Sequence, residues 1–92
     1  MTPEGKVKKK VKVALDEIGA YYFSPQAGAF GRAGIPDIVG CIKGRFFAIE
    51  CKAGSNTTTA LQDKEIEKIR DVGGVALVIN ETNLDEIERR LK

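Results

Sequence analysis

Apolar residues return at helical spacing in three stretches of the chain and in short continuous or alternating runs in four others. Val7, Val11, Ala14, Leu15 and Ile18 recur every three or four positions, and Thr2-Pro3-Glu4 precedes them while Gly19 follows. Thr2 suits an N-cap, Pro3 suits the first helical position where its missing N–H costs nothing, and Gly19 suits a C-terminal stop. Carrying this apolar stripe back three residues from Val7 places Glu4 on the inward face at the helix start, with most of the lysines on other faces. Tyr21 to Ser24 reads as a short strand, and Pro25 to Pro36 reads as a loop rich in glycine (Gly28, Gly31, Gly34) that carries Arg32.

Two runs rich in β-branched and aromatic residues follow, "IPDIVGCI" and "RFFAIECK", separated by Lys43-Gly44. The small polar stretch Ala53 to Thr58 then leads into Thr59-Ala60-Leu61-Gln62, a capping box that opens a second helix with Ile66, Ile69 and Val72 inward. Gly73-Gly74 stops that helix, Val75 to Ile79 is a continuous apolar run suited to a buried strand, and a last helix carries Leu84, Ile87 and Leu91. The order is α-β-β-β-α-β-α in one domain, residues 1–92. It predicts an α/β fold, a mixed central β-sheet with helices on both faces, in which the second helix crosses over to lay Val75 to Ile79 beside the hairpin.

The hairpin raises the first chemical question. With Lys43-Gly44 as a two-residue turn, Ile42 pairs with Arg45 and the register carried outward sets Asp37 opposite Glu50. Directly opposed residues hold their Cβ atoms about 4.5 to 5.5 Å apart, and like charges so placed repel. A raised pKa on one acid, a bound cation or a nearby ammonium offsets that repulsion, and Lys52 stands two residues beyond Glu50 on the same strand face. A three-residue loop would throw the acids to opposite faces. Taken singly, Asp37 could merely begin a strand, and Glu50 with Lys52 could be a solvated edge pair. Ala48-Ile49 and the apolar character of both runs argue against an exposed edge. Carboxylates gathered at a mostly dry edge suit a hard, oxygen-seeking ion such as Mg²⁺ or Mn²⁺.

Composition narrows the chemistry further. The chain has 92 residues, no histidine and only two cysteines, Cys41 and Cys51. Ser-His-Asp and Cys-His catalysis and histidine-ligated zinc are therefore excluded, and no Walker-type glycine loop is present. The hairpin register puts the two cysteines on opposite faces, as free thiols of a reducing compartment. No apolar run approaches the ~20 residues of a membrane span, and the Lys-rich start lacks a signal-peptide layout, so the expected place is the cytoplasm with no membrane partner. The net charge of +2 conceals an asymmetry: residues 1–52 carry nine Lys and Arg against five acids, residues 53–92 six against eight. Lys6, Lys8, Lys9, Lys10 and Lys12 crowd the first helix, either as a solvated face or as a track for a phosphate backbone.

Pro36-Asp37, followed by Glu50-Cys51-Lys52 at the end of the next strand, resembles the PD-(D/E)XK nuclease superfamily, a restriction-endonuclease-like fold. More narrowly, Arg32-Ala33-Gly34-Ile35-Pro36-Asp37, the small polar loop and Gln62 resemble the VRR-NUC family of virus-type replication-repair nucleases, over roughly Glu4 to Val78. The resemblance implies that Asp37, Glu50 and the backbone carbonyl of Cys51 hold Mg²⁺ or Mn²⁺. It further implies that Lys52 activates water and stabilises charge on the phosphate, that Gln62 supports the lysine or the water, and that Glu4 is the helix-one acid of the superfamily. Lys8, Lys9, Lys12 and Arg32 would contact the DNA backbone with little reading of sequence. Small stand-alone relatives resemble archaeal Holliday-junction resolvases, which implies a homodimer acting on branched DNA. The competing expectations are a sequence-specific or nicking endonuclease, for which the chain has little room to build a base-reading element, and a nuclease-like fold that only binds DNA.

Overall fold

Thr2 and Gly19 bracket the first helix as their chemistry predicts. In a computed structural model, which describes residues 1–26 and 32–92, α1 spans Pro3–Glu17, with the Thr2 hydroxyl accepting the Gly5 N–H at 3.0 Å. The strands are β1 (Tyr21–Phe23), β2 (Ile38–Ile42), β3 (Arg45–Cys51) and β4 (Val75–Ile79), with α2 (Ala60–Asp71) before β4 and α3 (Asp85–Leu91) after it. The predicted order of seven elements is the observed one. Gly28 and Gly31 of the glycine-rich loop lie outside the described residues.

The sheet order is β1-β2-β3-β4, antiparallel at the first two junctions and parallel between β3 and β4. Lys43 (φ 52°) and Gly44 (φ 79°) both take the left-handed conformation that a type I′ turn requires, so the hairpin has its two-residue loop. Ile42 pairs with Arg45 and Ile38 with Ile49, as the turn length dictates. Asp37 lies one residue outside the ladder rather than within the strand.

Alternate residues of β3 face opposite layers. Phe47, Ile49 and Cys51 enter the main core with Val7, Val11 and Leu15 of α1, Ile38 and Ile42 of β2, Val75, Leu77 and Ile79 of β4, and Ile87 and Leu91 of α3. Ala48 and Glu50 look toward α2, which packs on β3 and β4 and buries Ile66 there. Helices thus cover both faces of a mixed sheet. On the α2 side the cover is partial: Tyr21, Cys41 and Phe46, aligned across β1, β2 and β3, are exposed.

Val72 corrects one expectation, because it is 80% exposed rather than inward. Six residues on from Ile66 is about 120° short of a full second turn, so the side chain has rotated off the buried stripe. Val72 is moreover the C-cap, where the helix has ended. No helix among the described residues is long and apolar enough to cross a membrane.

Candidate functional site

The end of the hairpin away from its turn brings together side chains from three elements. Beyond the last ladder pair, Ile38–Ile49, the Cys51 N–H finds its acceptor in Asp37 Oδ2 at 2.8 Å. The carboxylate of Asp37 thus replaces a backbone carbonyl, which ties this acid to the edge of β3. Glu50, one residue earlier on β3, is only 3% exposed. Its Oε2 receives Gln62 Nε2 at 2.8 Å and lies 3.4 Å from Lys52 Nζ. Its Oε1 is buried with no hydrogen-bond partner.

Burial, and next the negative charge of Asp37, push the Glu50 carboxyl up to about 7, while Lys52 pulls it the other way. A buried carboxylate with an unmatched oxygen is costly to a fold. The arrangement fits a group that gives Oε1 a partner and takes the place of the proton. The donors are hard oxygens, so a Mg²⁺- or Mn²⁺-like ion is the chemical match. Among the described residues no group of three or more His, Cys, Asp or Glu side chains forms a cage by itself. An ion here needs water, substrate or backbone oxygen to complete its shell.

Cys51 bears on that last requirement. Burial, then the charges of Asp37 and Glu50, push its thiol up to about 12, against a smaller opposing effect of Lys8. Such a thiol stays protonated and is neither nucleophile nor thiolate ligand. The oxygen of its backbone is the donor it can offer.

The remaining expected residues fall at different distances from this centre. Gln62 reaches Glu50 directly because the Thr59 cap starts α2 above the end of β3. Glu4 is half-buried, takes a long contact of 3.5 Å from Asn56 Nδ2 and, with Lys8, lies near enough to act on the Cys51 thiol. Lys9 is exposed and Lys8 and Lys12 are half-buried along α1. Arg32 is joined to Glu65 of α2 at 2.7 Å and 2.9 Å, so its guanidinium fastens the segment before Asp37 to that helix. Asn56, Glu65 and Glu81, which accepts the Gly54 N–H at 2.7 Å, were not singled out from sequence. Asn56 and Glu65 each link a loop to a helix and Glu81 links two loops, and no spacing in the chain signals such contacts.

An acid pair at the end of a hairpin, a lysine two residues on and a glutamine from the next helix form one constellation on this fold. The family model described as archaeal Holliday junction resolvase (Hjc) matches residues 5–81. The chain belongs to that family. The Hjc match takes in Asp37, Glu50, Lys52 and Gln62, so the gathered residues all lie within the family region, and the chain is a nuclease by family. A solved structure described as a VRR_NUC domain superposes with a TM-score of 0.80 at 23% identity, covering 100% of both chains. That likeness shows the shared fold, in agreement with the VRR-NUC resemblance of the sequence. A search of the curated proteins gave no match.

Proposed function

We propose that this Hjc-family chain is a divalent-metal-dependent, structure-selective DNA endonuclease that hydrolyses phosphodiester bonds in branched DNA, four-way junctions foremost, as a homodimer. The observation that carries the reading is Glu50: a buried carboxylate beside Asp37 with one oxygen saturated by Gln62 and Lys52 and the other without a partner. Asp37, Glu50 and the Cys51 carbonyl would hold Mg²⁺ or Mn²⁺. A bound ion of this kind supplies polarisation of a phosphoryl oxygen and a lowered pKa for water.

The chain's own side chains divide the remaining work. Lys52 is buried against Glu50 and brings a positive charge to the place where negative charge develops on the phosphate. Gln62 holds Glu50 by one oxygen, which fixes the direction of the other. Glu4 stands at the α1 side of the site. Lys8, Lys9 and Lys12 provide a basic helix for the phosphate backbone, a contact that gives affinity without sequence reading. The exposed apolar row Tyr21, Cys41 and Phe46 supports a chain that associates with a second copy. Two copies would bring two sites to a symmetric junction.

The test is cleavage of a four-way junction and of a plain duplex of matched arm sequence, with Mg²⁺, Mn²⁺ or chelator, by the wild type, Asp37→Ala and Lys52→Ala. The expected result is paired incision of the junction with either ion and none with chelator or either variant. Binding without cleavage under every condition would overturn the enzymatic reading, and equal cleavage of duplex and junction would overturn the structural selectivity. Sedimentation of the same sample should give twice the chain mass; a monomer at assay concentration would remove the paired incision.

A further inference from the structure

The cap that begins α2 also decides which end of the Gln62 amide faces the site. Gln62 Oε1 accepts the Thr59 N–H at 2.9 Å, the Gln62 N–H goes to Thr59 Oγ1 at 3.2 Å, and Gln62 Nε2 donates to Glu50 Oε2 at 2.8 Å. A primary amide has an accepting end and a donating end. With the accepting end consumed by the N-cap backbone, the donating end alone is left for Glu50.

We infer that Thr59 is a positioning residue of the site: its capping box locks Gln62 as a hydrogen-bond donor to Glu50 Oε2 and thereby leaves Oε1 as the oxygen open to a ligand. The inference deepens the metal-site reading above and rests on it for the identity of that ligand. Thr59 is exposed and has no hydrogen bond to Glu50 or Lys52, so its effect passes through Gln62. Any Gln in a capping box turns its Nε2 away from the cap, because only Oε1 can accept the N-cap N–H; what is particular to this chain is where that Nε2 arrives. Here that atom lies at hydrogen-bond distance from a buried carboxylate whose other oxygen is orphaned. The Thr59 hydroxyl acts at one remove: by holding the Gln62 N–H it keeps closed the first turn in which the Thr59 N–H meets Gln62 Oε1. When that turn opens, the amide can rotate about its last torsion and present its oxygen to Glu50, two acceptors face to face.

The experiment compares Thr59→Val, Thr59→Ser and Lys68→Gly with the wild type. Thr59→Val removes the hydroxyl at nearly constant shape, Thr59→Ser keeps it, and Lys68→Gly weakens α2 toward its other end. Two readouts are taken: solvent exchange of the Gln62 side-chain NH₂ by NMR on metal-free protein, and Mn²⁺ affinity by electron paramagnetic resonance. Thr59→Val is expected to speed the NH₂ exchange and weaken Mn²⁺ binding about tenfold, as loss of a group supporting a ligand does. Thr59→Ser should match the wild type, and Lys68→Gly should lower the melting temperature as Thr59→Val does while moving neither readout. Wild-type exchange and affinity in Thr59→Val, or equal changes in Lys68→Gly, would overturn the inference. A wild type that binds no Mn²⁺ would instead sink the metal reading, and the exchange rates would still decide whether Thr59 orients Gln62.

Discussion

Glu50 is the residue at which fold and chemistry conflict, and its titration makes the conflict measurable. Its carboxyl is raised from the ordinary value of 4.5 to about 7 in the folded chain. A folded-state pKa above the unfolded one adds stability at low pH, which is lost as pH rises through the folded value. Metal-free protein should therefore lose stability between about pH 4.5 and 7, by at most about 3 kcal/mol. Glu50→Gln should flatten the dependence across that window, leave the protein more stable than the wild type at pH 8, and abolish cleavage. Urea melts at a series of pH values check the sign; a Glu50→Gln protein less stable than the wild type at pH 8 would mean that the ionised carboxylate is welcome without an ion. Lys52 yields a separate expectation. Lys52→Met keeps the stem's apolar contacts and removes the ammonium, so single-turnover cleavage of a junction should fall about a hundredfold while junction affinity holds. A loss confined to affinity would make Lys52 a DNA-contacting residue only.

At the scale of elements, the site depends on how the segment before β2 lies on α2. Arg32 grips Glu65, and Gly34, at φ 79°, sits so close to the first turn of α2 that a Cβ there would come 2.5 Å from the Leu61 carbonyl oxygen and 2.9 Å from the Gln62 nitrogen. Gly34→Ala must therefore separate Asp37's segment from Gln62's helix turn as well as adopt an unfavourable backbone. We expect a loss of stability of about 2 kcal/mol and a larger fractional loss of cleavage than an equally destabilising change elsewhere. Paired melting curves and cleavage rates read this; unchanged cleavage would show that the close approach does not set the site. These elements also show what was legible in the chain. Turn length fixes hairpin register, so Lys43-Gly44 was enough to align Glu50 with the position of Asp37, and Thr59 to Gln62 was enough to start α2. The bond from Cys51 N–H to Asp37, the clamp of Arg32 on Glu65 and the reach of Asn56 to Glu4 were not legible. They depend on where separate elements come to rest against one another, and no local periodicity encodes that. Val72 failed for a local reason, since counting apolar residues without following the helical angle assigned it to the wrong side.

For the molecule as a whole, charge is divided along the chain, with the basic excess in residues 1–52 and the acidic excess in residues 53–92. α1 carries five lysines, and Lys8 of that helix lies near enough to the site to act on Cys51. The basic helix therefore borders the candidate site, where a phosphate backbone held by lysine would pass Asp37 and Glu50. Each phosphate neutralised on a duplex contributes about 0.9 to the slope of log affinity against log salt. Replacing Lys8, Lys9 and Lys12 together by alanine should lower that slope by about 2 to 3. Phosphate contacts position DNA without reporting sequence, so the loss should be alike on junction and duplex and the preference between them should persist. Binding isotherms at several salt concentrations on both substrates decide the matter. An unchanged slope would place the backbone on another face of the protein. A slope that fell on the junction alone would give α1 a part in recognising the branch, and selectivity would then belong to the same helix that supplies Glu4.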